Sequence, residues 1–558
     1  MQMPTALGRP PRMRPQPLVQ VLQTMLPPVR GLNSTGAVAS MPETDAIEMD
    51  NMISNDLGVI VREGYYEYAT NIGGDASRQV RTIMSYEGAP ANATISPLTQ
   101  STLFAVVDTG IFNIEGGGNM TAVAAMIALS GNLNAGRMSF VQFTTDSGQY
   151  LIACSETDGG YLYNGTAWMK MTSVGAPGPG IITGVDPTKF VHVCAWKKRL
   201  MFTLRASAAV WILNVGAVGG AAVEFDFGPQ LTNGGAVLGL ANWTQDDGAG
   251  IDDRLVIIGS SGDLVVYAGT DPTDATKFEN LGVWYIGQPP VGRRCFTTGG
   301  GNVYVLTQFG VIPVNQIVQG GLDNLLTSDT ALISQLRKLQ SQLNADFQTL
   351  LNTDGWELLA LPSKSLLHIA RPSVSVSENI QYAFQQHNLA WSRFLDVPGK
   401  TFSRRLNEVY AGTENARVLR VMDGETDGEL LDGTGAQEIR ARLTPAFSYF
   451  GDPRVLKQAL MIRCNFLATS VPAYAVLMNV DFQVGSIYGN PSAGQTVGSL
   501  WNQAFWNQAF WAGGSASFAE WRSIEGLGYA LSPSIFISSQ TRTILASIEY
   551  MLKPGGPL

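Results

Sequence analysis

One β-hairpin pattern recurs along most of the chain, and it constrains the fold more than any other feature. In the clearest copies an apolar run of about four to six residues is followed by a Gly-containing turn and a second apolar run, which is typical of two antiparallel strands. A Gly between such runs supplies the positive φ that a tight turn needs. The clearest copies are RLVIIGSSGDLVVYAGTDP, from residue 254, and NVYVLTQFGVIPV, from residue 302.

Seven copies of this hairpin follow one another. Their first residues are separated by 47, 49, 55, 48, 64 and 42 positions. A step of about 40–50 residues with four strands per unit is typical of propeller blades. The sequence therefore predicts an all-β protein with a β-propeller-like core of six or seven blades. The copies span 103–114, 150–165, 199–214, 254–269, 302–314, 366–394 and 408–424.

Three tryptophans recur within these units. Trp168 lies in YNGTAWMKM, Trp284 in LGVWYIG and Trp391 in NLAWSRF, and we expect them on the third strand of a blade. A large aromatic side chain at that position is predicted to pack between neighbouring blades.

The 64-residue step contains a stretch with a helical period. In 325–352 the apolar residues recur at intervals of three and four, which places them on one face of a helix. Ser328 could cap its start. The insertion is predicted to bury this face either on its own blade or on another subunit. The stripe consists of Leu332, Leu336, Leu339, Leu343, Phe347 and Leu350.

The pattern divides the chain into three parts. Residues 1–42 are rich in Pro and Arg and contain no acid, which predicts an extended N-terminal arm that is either disordered or laid across a neighbouring subunit. Residues 43–424 are predicted to form the propeller, and 425–558 a C-terminal β-sandwich or sheet domain. Within the last part, 501–511 repeats WNQAF, and its tryptophans are predicted to lie in a loop because a spacing of five fits neither a helix nor a strand.

Composition excludes several classes of protein. The net charge of −9 argues against a protein that grips nucleic acid along a basic face. No run reaches about eighteen apolar residues, so no transmembrane segment is expected, and the first residues lack the compact apolar region of a signal peptide. The four cysteines are far apart in sequence, which predicts core thiols in a reducing cytoplasm rather than a zinc site. They are Cys154, Cys194, Cys295 and Cys464.

A search for catalytic and metal-binding motifs gives one weak candidate. The three histidines, His192, His368 and His387, have no partner motif, so we expect structural roles and no enzymatic activity or cofactor. The loop QDDGAGIDDR has four carboxylates that could hold Ca²⁺, although turn capping is favoured because the order of an EF-hand loop is missing. The segment DGETDGELLD has the same status. The four carboxylates are those of Asp246, Asp247, Asp252 and Asp253.

Several segments of the sequence resemble the tail nozzle proteins of short-tailed bacteriophages. They are GLNSTGAVASMPETDAIEMDNMISNDLGVIVREGYYEYAT, FDFGPQLTNGGAVLGLANWTQDDGAGIDDRLVIIGSSGDLVVYAGTDP, IGQPPVGRRCFTTGGGNVYVLTQFGVIPV and AFSYFGDPRVLKQALMIRCNF. Together they span roughly residues 31–465. The helical insertion and the WNQAF repeat do not belong to the pattern.

The resemblance implies a structural virion protein, made in the host bacterial cytoplasm. Its family forms a hexameric ring below a portal–adaptor ring, extends the DNA channel without specific DNA binding, and anchors tail fibres or spikes. The net negative charge of the chain would help DNA to slide through the channel. Two other functions stay open: a propeller adhesin or lectin that binds host-surface glycans through aromatic loops, and a glycan-cleaving enzyme with paired carboxylates.

Overall fold

The computed structural model describes residues 20–88, 101–246, 251–274, 276–327, 330–373, 379–485, 491 and 516–557. These residues are mostly β. The predicted hairpins are present, and in some of them a glycine with positive φ lies in the turn, as at Gly262 (φ +93°) and Gly310 (φ +104°).

Seven consecutive antiparallel sheets can be followed through the described part of residues 65–429, and we number them 1 to 7 in chain order. Sheet 1 contains Thr82–Glu87, Ser101–Val107, Gly110–Asn113 and Ile127–Ala128. Sheet 2 contains Met138–Thr145, Gly148–Ser155, Gly159–Tyr163 and Trp168–Lys170. Sheet 3 contains Phe190–Trp196, Arg199–Leu204, Ala209–Ile212 and Val223–Asp226. Sheet 4 contains Val237–Asp246, Ile251–Gly259, Asp263–Gly269 and Phe278–Tyr285.

The later sheets are less uniform. Sheet 5 contains Phe296–Gly299, Asn302–Thr307 and Gly310–Pro313. Sheet 6 begins with Glu357–Leu361, Leu366–Ala370, Ile380–Gln385 and Ala390–Leu395. Sheet 7 contains Thr401–Arg405, Glu408–Gly412 and Val418–Val421, and its fourth strand is Tyr65–Thr70, with Asp427–Glu429 and Gly118–Asn119 parallel to it. Ile182–Thr183 and Gly220–Ala221 form a separate two-stranded parallel sheet.

The first strand of each sheet lies against the first strand of the next, and that of sheet 7 lies against that of sheet 1. Such a closed series of radial sheets is a β-propeller. A strand from the N-terminal side closes the ring, because Tyr65–Thr70 pairs antiparallel with the last hairpin of sheet 7 and places Ala69 opposite Val418. The closure protects sheet edges that would otherwise be open.

The positions of the tryptophans differ from the prediction. Trp168, Trp284 and Trp391 lie on the fourth strands of sheets 2, 4 and 6, because each unit gains a first strand before the hairpin. Trp168 packs between blades as expected, with its ring 5.3 Å from that of Phe104 in sheet 1. Trp391 instead contacts the helical insertion, where its indole N–H donates to the carbonyl oxygen of Gln335 (3.0 Å).

Sheet 6 continues past its fourth strand into a second region. Ala46–Asp50 pairs parallel with Ala390–Leu395, and Ile439–Pro445, Leu531–Ser539 and Ala473–Val480 follow in that order, which makes eight strands. A six-stranded sheet shares a hydrophobic core with this extension. The two sheets form a β-sandwich, which we call the sandwich region. The six strands are Val21–Met25, Met52–Asn55, Gly58–Val61, Val455–Ala468, Ala516–Gly528 and Thr543–Pro557.

This topology differs from the predicted division at residues 43 and 425. Three strands between residues 46 and 61 belong to the sandwich region, because they pair with Ile439–Pro445 and Thr543–Pro557. Of the predicted arm, residues 1–19 lie outside the described residues. The remainder is bound: Val21–Met25 is a strand, and Asn33 donates to Asp45 (2.8 Å).

The helical insertion is present with different bounds. Helical structure runs from Ala331–Leu336 through a 3-10 turn at Arg337–Leu339 to Gln340–Leu350. Its apolar stripe enters the core of the sandwich region and sheets 5 and 6, so the face is buried within its own chain, where Phe347 packs on Trp356 at 4.6 Å. Ser328 lies outside the described residues. A preceding helix, Val314–Thr327, was not predicted, and it packs on sheets 4 and 5.

Candidate functional site at the propeller axis

The first strands of the sheets surround a cavity of about 610 Å³ on the propeller axis. Its wall combines aromatic rings with amide, imidazole and guanidinium groups, because alternate residues of each inner strand face the axis. The side chains include Phe140, His192, Asn242, Phe296 and Arg404. The cavity can therefore offer both stacking surfaces and hydrogen bonds.

Arg294 closes the axis at the end where the inner strands begin. It lies just before sheet 5, and its guanidinium donates to the carbonyl oxygens of Arg81 (3.0 Å) and Met138 (3.1 Å) and to the hydroxyls of Thr401 (3.0 Å) and Thr82. These acceptors belong to sheets 1, 2 and 7 or directly precede them. One side chain thus connects four sheets across the ring.

A small charged pocket of about 110 Å³ adjoins Arg294. Ion pairs organise much of it: Lys400 lies 3.1 Å from Glu414, and Arg294 lies 3.6 Å from Glu357. We call it the axial pocket. Its charged lining residues are Arg81, Arg137, Arg294, Arg371, Lys400, Asp354, Glu357 and Glu414.

The arginines at this end repel one another. Loss of hydration lowers the pKa values of Arg81, Arg293 and Arg294, and the positive charge of Arg137 lowers all three further. Arg137 itself is 3.3 Å from Glu156. The site is consequently an electropositive spot in an acidic protein.

The histidines are separated in the structure. His192 is in the cavity wall with Nε2 3.0 Å from the carbonyl oxygen of Leu240, and removal from water lowers its pKa to about 4. His368 packs on Phe402 at 4.3 Å in sheet 6, and burial lowers its pKa to about 4 as well. His387 is on the surface, 3.5 Å from Asp56.

All four cysteines are buried and free, as predicted. Burial is the main cause that raises the pKa values of their thiols, to about 12 for Cys194, Cys295 and Cys464 and further for Cys154. Such thiols are protected from reagents that need the thiolate.

The predicted carboxylate cluster is only partly described. Asp247 and the side chains of Asp246 and Asp252 lie outside the described residues. Asp253 is in a strand rather than a turn, where it accepts from the Thr244 hydroxyl (2.8 Å) and lies 3.6 Å from Lys197. Among the described side chains, no group of three or more His, Cys, Asp or Glu is arranged to hold a metal ion.

The second acidic segment, DGETDGELLD, contributes a buried ion pair. Asp427 receives two hydrogen bonds from the guanidinium of Arg62, at 2.8 and 2.6 Å. Asp423 accepts from the hydroxyl of Tyr66 (3.1 Å). The WNQAF tryptophans, Trp501, Trp506 and Trp511, lie outside the described residues.

Sequence reasoning missed the axial arginines. The available signal was the doublet Arg293–Arg294, which directly precedes a strand in a chain with only 15% charged residues. Blades meet at the axis through the starts of their inner strands, so a charge at such a start faces the axis. The doublet alone gives no partner, because its acceptors are up to 213 positions away.

No family model and no curated protein matches the chain. Similar solved structures include BBS1N in complex with ARL6DN, with TM-score 0.38 and 12% identity, covering 65% of this chain and 97% of that one. Chaetomium thermophilum Raptor gives TM-score 0.36 and 11% identity over 64% of this chain and 29% of that chain. YCF48 from Cyanidioschyzon merolae gives TM-score 0.34 and 11% identity, over 62% of this chain and 96% of that chain. Because these values are low, the propeller assignment rests on the sheet topology.

Proposed function

We propose that the chain is a structural virion protein, the tail nozzle subunit of a short-tailed bacteriophage. Six copies form a ring below the portal–adaptor ring, make the distal part of the DNA channel and anchor tail fibres or spikes. In this proposal the seven sheets are the blades of a seven-bladed propeller, and the sandwich region is the C-terminal domain. The resemblance of residues 31–465 to nozzle proteins motivates it.

The observation that carries the proposal is the eight-stranded sheet shared by the propeller and the sandwich region. Asp50 on the sandwich side receives two hydrogen bonds from Arg393 of the propeller strand, at 2.6 and 2.8 Å. A subunit built this way resists bending between its two parts, because backbone hydrogen bonds and a charged pair cross the joint. A ring that carries fibres and contains pressurised DNA needs this stiffness.

The closed axis supports a conduit between copies. Arg294 bridges four sheets, so a DNA duplex has no path along the axis of one propeller. The channel therefore lies between subunits, and the net charge of −9 reduces its attraction for phosphates. A continuous Arg/Lys lining of the assembled channel would contradict the sliding hypothesis.

Assembly in the presence of partner rings tests the function. The purified chain is mixed with the portal–adaptor complex of a short-tailed phage whose genome encodes this chain. The native mass and negative-stain images of the mixture are recorded, and each component alone is the control. We expect six copies per complex in a ring at the adaptor's distal end. A chain that stays monomeric beside an intact adaptor would contradict the proposal.

The alternative is a propeller adhesin or lectin that binds host-surface glycans. The cavity of about 610 Å³ favours it, since Phe140 and Phe296 offer stacking surfaces for sugar rings and Asn242 offers hydrogen bonds. A glycan array separates the two functions. Saturable sugar binding that is lost in Phe296→Ala, with no ring formation, would replace the nozzle proposal.

No described helix has the length and apolarity needed to cross a membrane. We propose the host bacterial cytoplasm as the place of synthesis and the virion tail as the final location. Enzymatic activity is not part of the proposal. Its partners are identical subunits, the adaptor ring and the fibres or spikes.

A further inference from the structure

The axial pocket has an excess of positive charge. Five basic side chains line it and three acidic ones, although the whole chain carries a net charge of −9. Cations at such a place need counter-charge, because burying cations without anions is costly.

Four of the five basic groups have carboxylate partners within ion-pair distance. Arg137 is 3.3 Å from Glu156, Arg294 is 3.6 Å from Glu357, Arg371 is 3.0 Å from Asp346, and Lys400 is 3.1 Å from Glu414. Arg81 is the exception. Among the described residues its guanidinium has neither an ion pair nor a hydrogen-bond acceptor, although it lines the pocket.

The surroundings of Arg81 make this exception costly. Partial burial lowers its pKa, and Arg137 lowers it again, whereas Asp108, Asp354 and Glu414 act in the opposite direction only from a distance. The neighbouring Arg293 has a buried Nη1 with no partner in the described structure, and the same Arg137 repels it. Among the described residues neither guanidinium has a carboxylate within ion-pair distance, although Glu156 attracts Arg293 from farther away.

We propose that the axial pocket binds one compact oxyanion, of the size of inorganic phosphate, between Arg81 and Arg137. Arginine guanidiniums bind phosphate and carboxylate oxygens through paired N–H donors. Thr401 adds a donor, because its hydroxyl oxygen already accepts from Arg294 and its own proton remains free to donate. A volume of about 110 Å³ has room for a tetrahedral oxyanion or a carboxylate.

The bound anion would connect the starts of sheets 1, 2 and 7 at the point where the ring closes. A ligand that binds the folded state alone raises the free energy of unfolding in proportion to the logarithm of its concentration. We therefore expect phosphate to raise the melting temperature of the chain. Sodium chloride keeps the ionic strength constant in this experiment, because salt screens surface charges and would itself change the stability.

Titration of the full-length chain with inorganic phosphate, measured by isothermal calorimetry, tests the site. We expect one saturable site per chain. Arg81→Gln should weaken binding by about tenfold or more, since it removes a charge-assisted pair of hydrogen bonds. Arg81→Lys keeps the charge and should retain part of the affinity. Arg417→Gln is the matched control, because that guanidinium is 47% exposed and pairs with Glu67 away from the pocket.

Circular dichroism and melting without phosphate show that each variant is folded before it is titrated. Should Arg81→Gln fail to fold, Arg81→Lys carries the test, and an affinity equal to wild type would then overturn the proposal. The proposal is equally overturned when wild type binds neither phosphate nor acetate saturably, or when Arg81→Gln binds phosphate as tightly as wild type. Tighter acetate binding supports the site and assigns it to a carboxylate. Ring assembly is measured separately, so failure here leaves the nozzle proposal intact.

Discussion

The propeller and the sandwich region are both built from antiparallel strands, but the paired strands are separated by different distances along the chain. In sheet 2, four strands follow one another between residues 138 and 170. In the sandwich region, Val21 pairs with Leu552, and Ala46 pairs with Pro445. The propeller is therefore assembled from local hairpins, whereas the sandwich region needs both ends of the chain. Long-range pairing closes large loops and is expected to form later in folding.

The two regions are joined at two places. One is the shared sheet 6, where Asp50 pairs with Arg393. The other lies where the chain passes from the sandwich strand Gly58–Val61 to the closing strand of sheet 7, and there Arg62 pairs with Asp427. Because these joints are buried and charged, we expect the propeller and the sandwich region to unfold together.

The largest expected effect is that of Arg62→Ala. The Arg62 side chain is 2% exposed and that of Asp427 13%, so the substitution leaves a buried carboxylate without its partner. We expect the free energy of unfolding to fall by about 3–5 kcal/mol, measured by urea denaturation with probes in both regions. The control Arg454→Ala should cost less than about 1 kcal/mol, because Arg454 is 86% exposed. A loss of structure that is confined to one region would contradict the expectation that the two regions unfold together.

Removing a large side chain from the core that the helical insertion shares with the sandwich region and sheets 5 and 6 should cost about 3–4 kcal/mol. In Phe347→Ala the helical insertion loses a ring that packs 4.6 Å from that of Trp356, and a cavity remains in the core. Gln348→Ala, on the exposed side of the same helix, is the control. Hydrogen exchange of both proteins shows whether sheets 5 and 6 lose protection with the helix. Unchanged exchange there would show that the core is not shared.

The contrast also explains what the sequence could predict. All seven predicted hairpins are present, because short apolar runs and the turns between them act within about ten residues. The helical stripe from Leu332 to Leu350 was found for the same reason. The strand Gly58–Val61 also reads as β, but nothing local shows that it pairs with Thr543–Pro557. The residues of Ala46–Asp50 read as a short helix, and that expectation is wrong, because the segment pairs with Ile439–Pro445 as a strand. The first strands of the blades were missed as separate elements, and the tryptophans were consequently placed one strand too early.

The axial pocket was beyond sequence reasoning for a related reason. Arg81, Arg137 and Arg294 precede strands in three different sheets, and only closure of the ring brings them together. The prediction of core thiols succeeded, because each cysteine lies in or beside an apolar run and is buried with it. A property of one strand can be predicted from its own residues. A site shared by several blades can be recognised only when the order of the blades around the ring is known.

The shared sheet can also be probed by pH. The His368 pKa is about 4 in the folded state and about 6.5 in the unfolded state, so between these values only the unfolded chain binds the proton. Stability should therefore fall as the pH is lowered from 6.5 to 4, by about 3 kcal/mol for this group. His368→Leu should flatten the profile measured by urea denaturation, whereas His387→Asn, at the surface, should not. An unchanged slope in His368→Leu would assign the acid sensitivity to other groups.

The smallest effect is expected from a turn inside the propeller. Asp186 precedes a 3-10 helix at Pro187–Lys189, and its carboxylate accepts from the backbone N–H (3.1 Å) and the hydroxyl (2.7 Å) of Thr188. Asp186→Ala removes both bonds and should cost about 1 kcal/mol in a melting experiment, the usual loss for a capping residue. Asp186→Asn keeps an acceptor oxygen and should cost less. Because both interactions stay within three residues, the change should increase hydrogen exchange near sheet 3 while Thr543–Pro557 stays protected. Equal exposure of that distant strand would mean that even the local hairpins depend on the sandwich region.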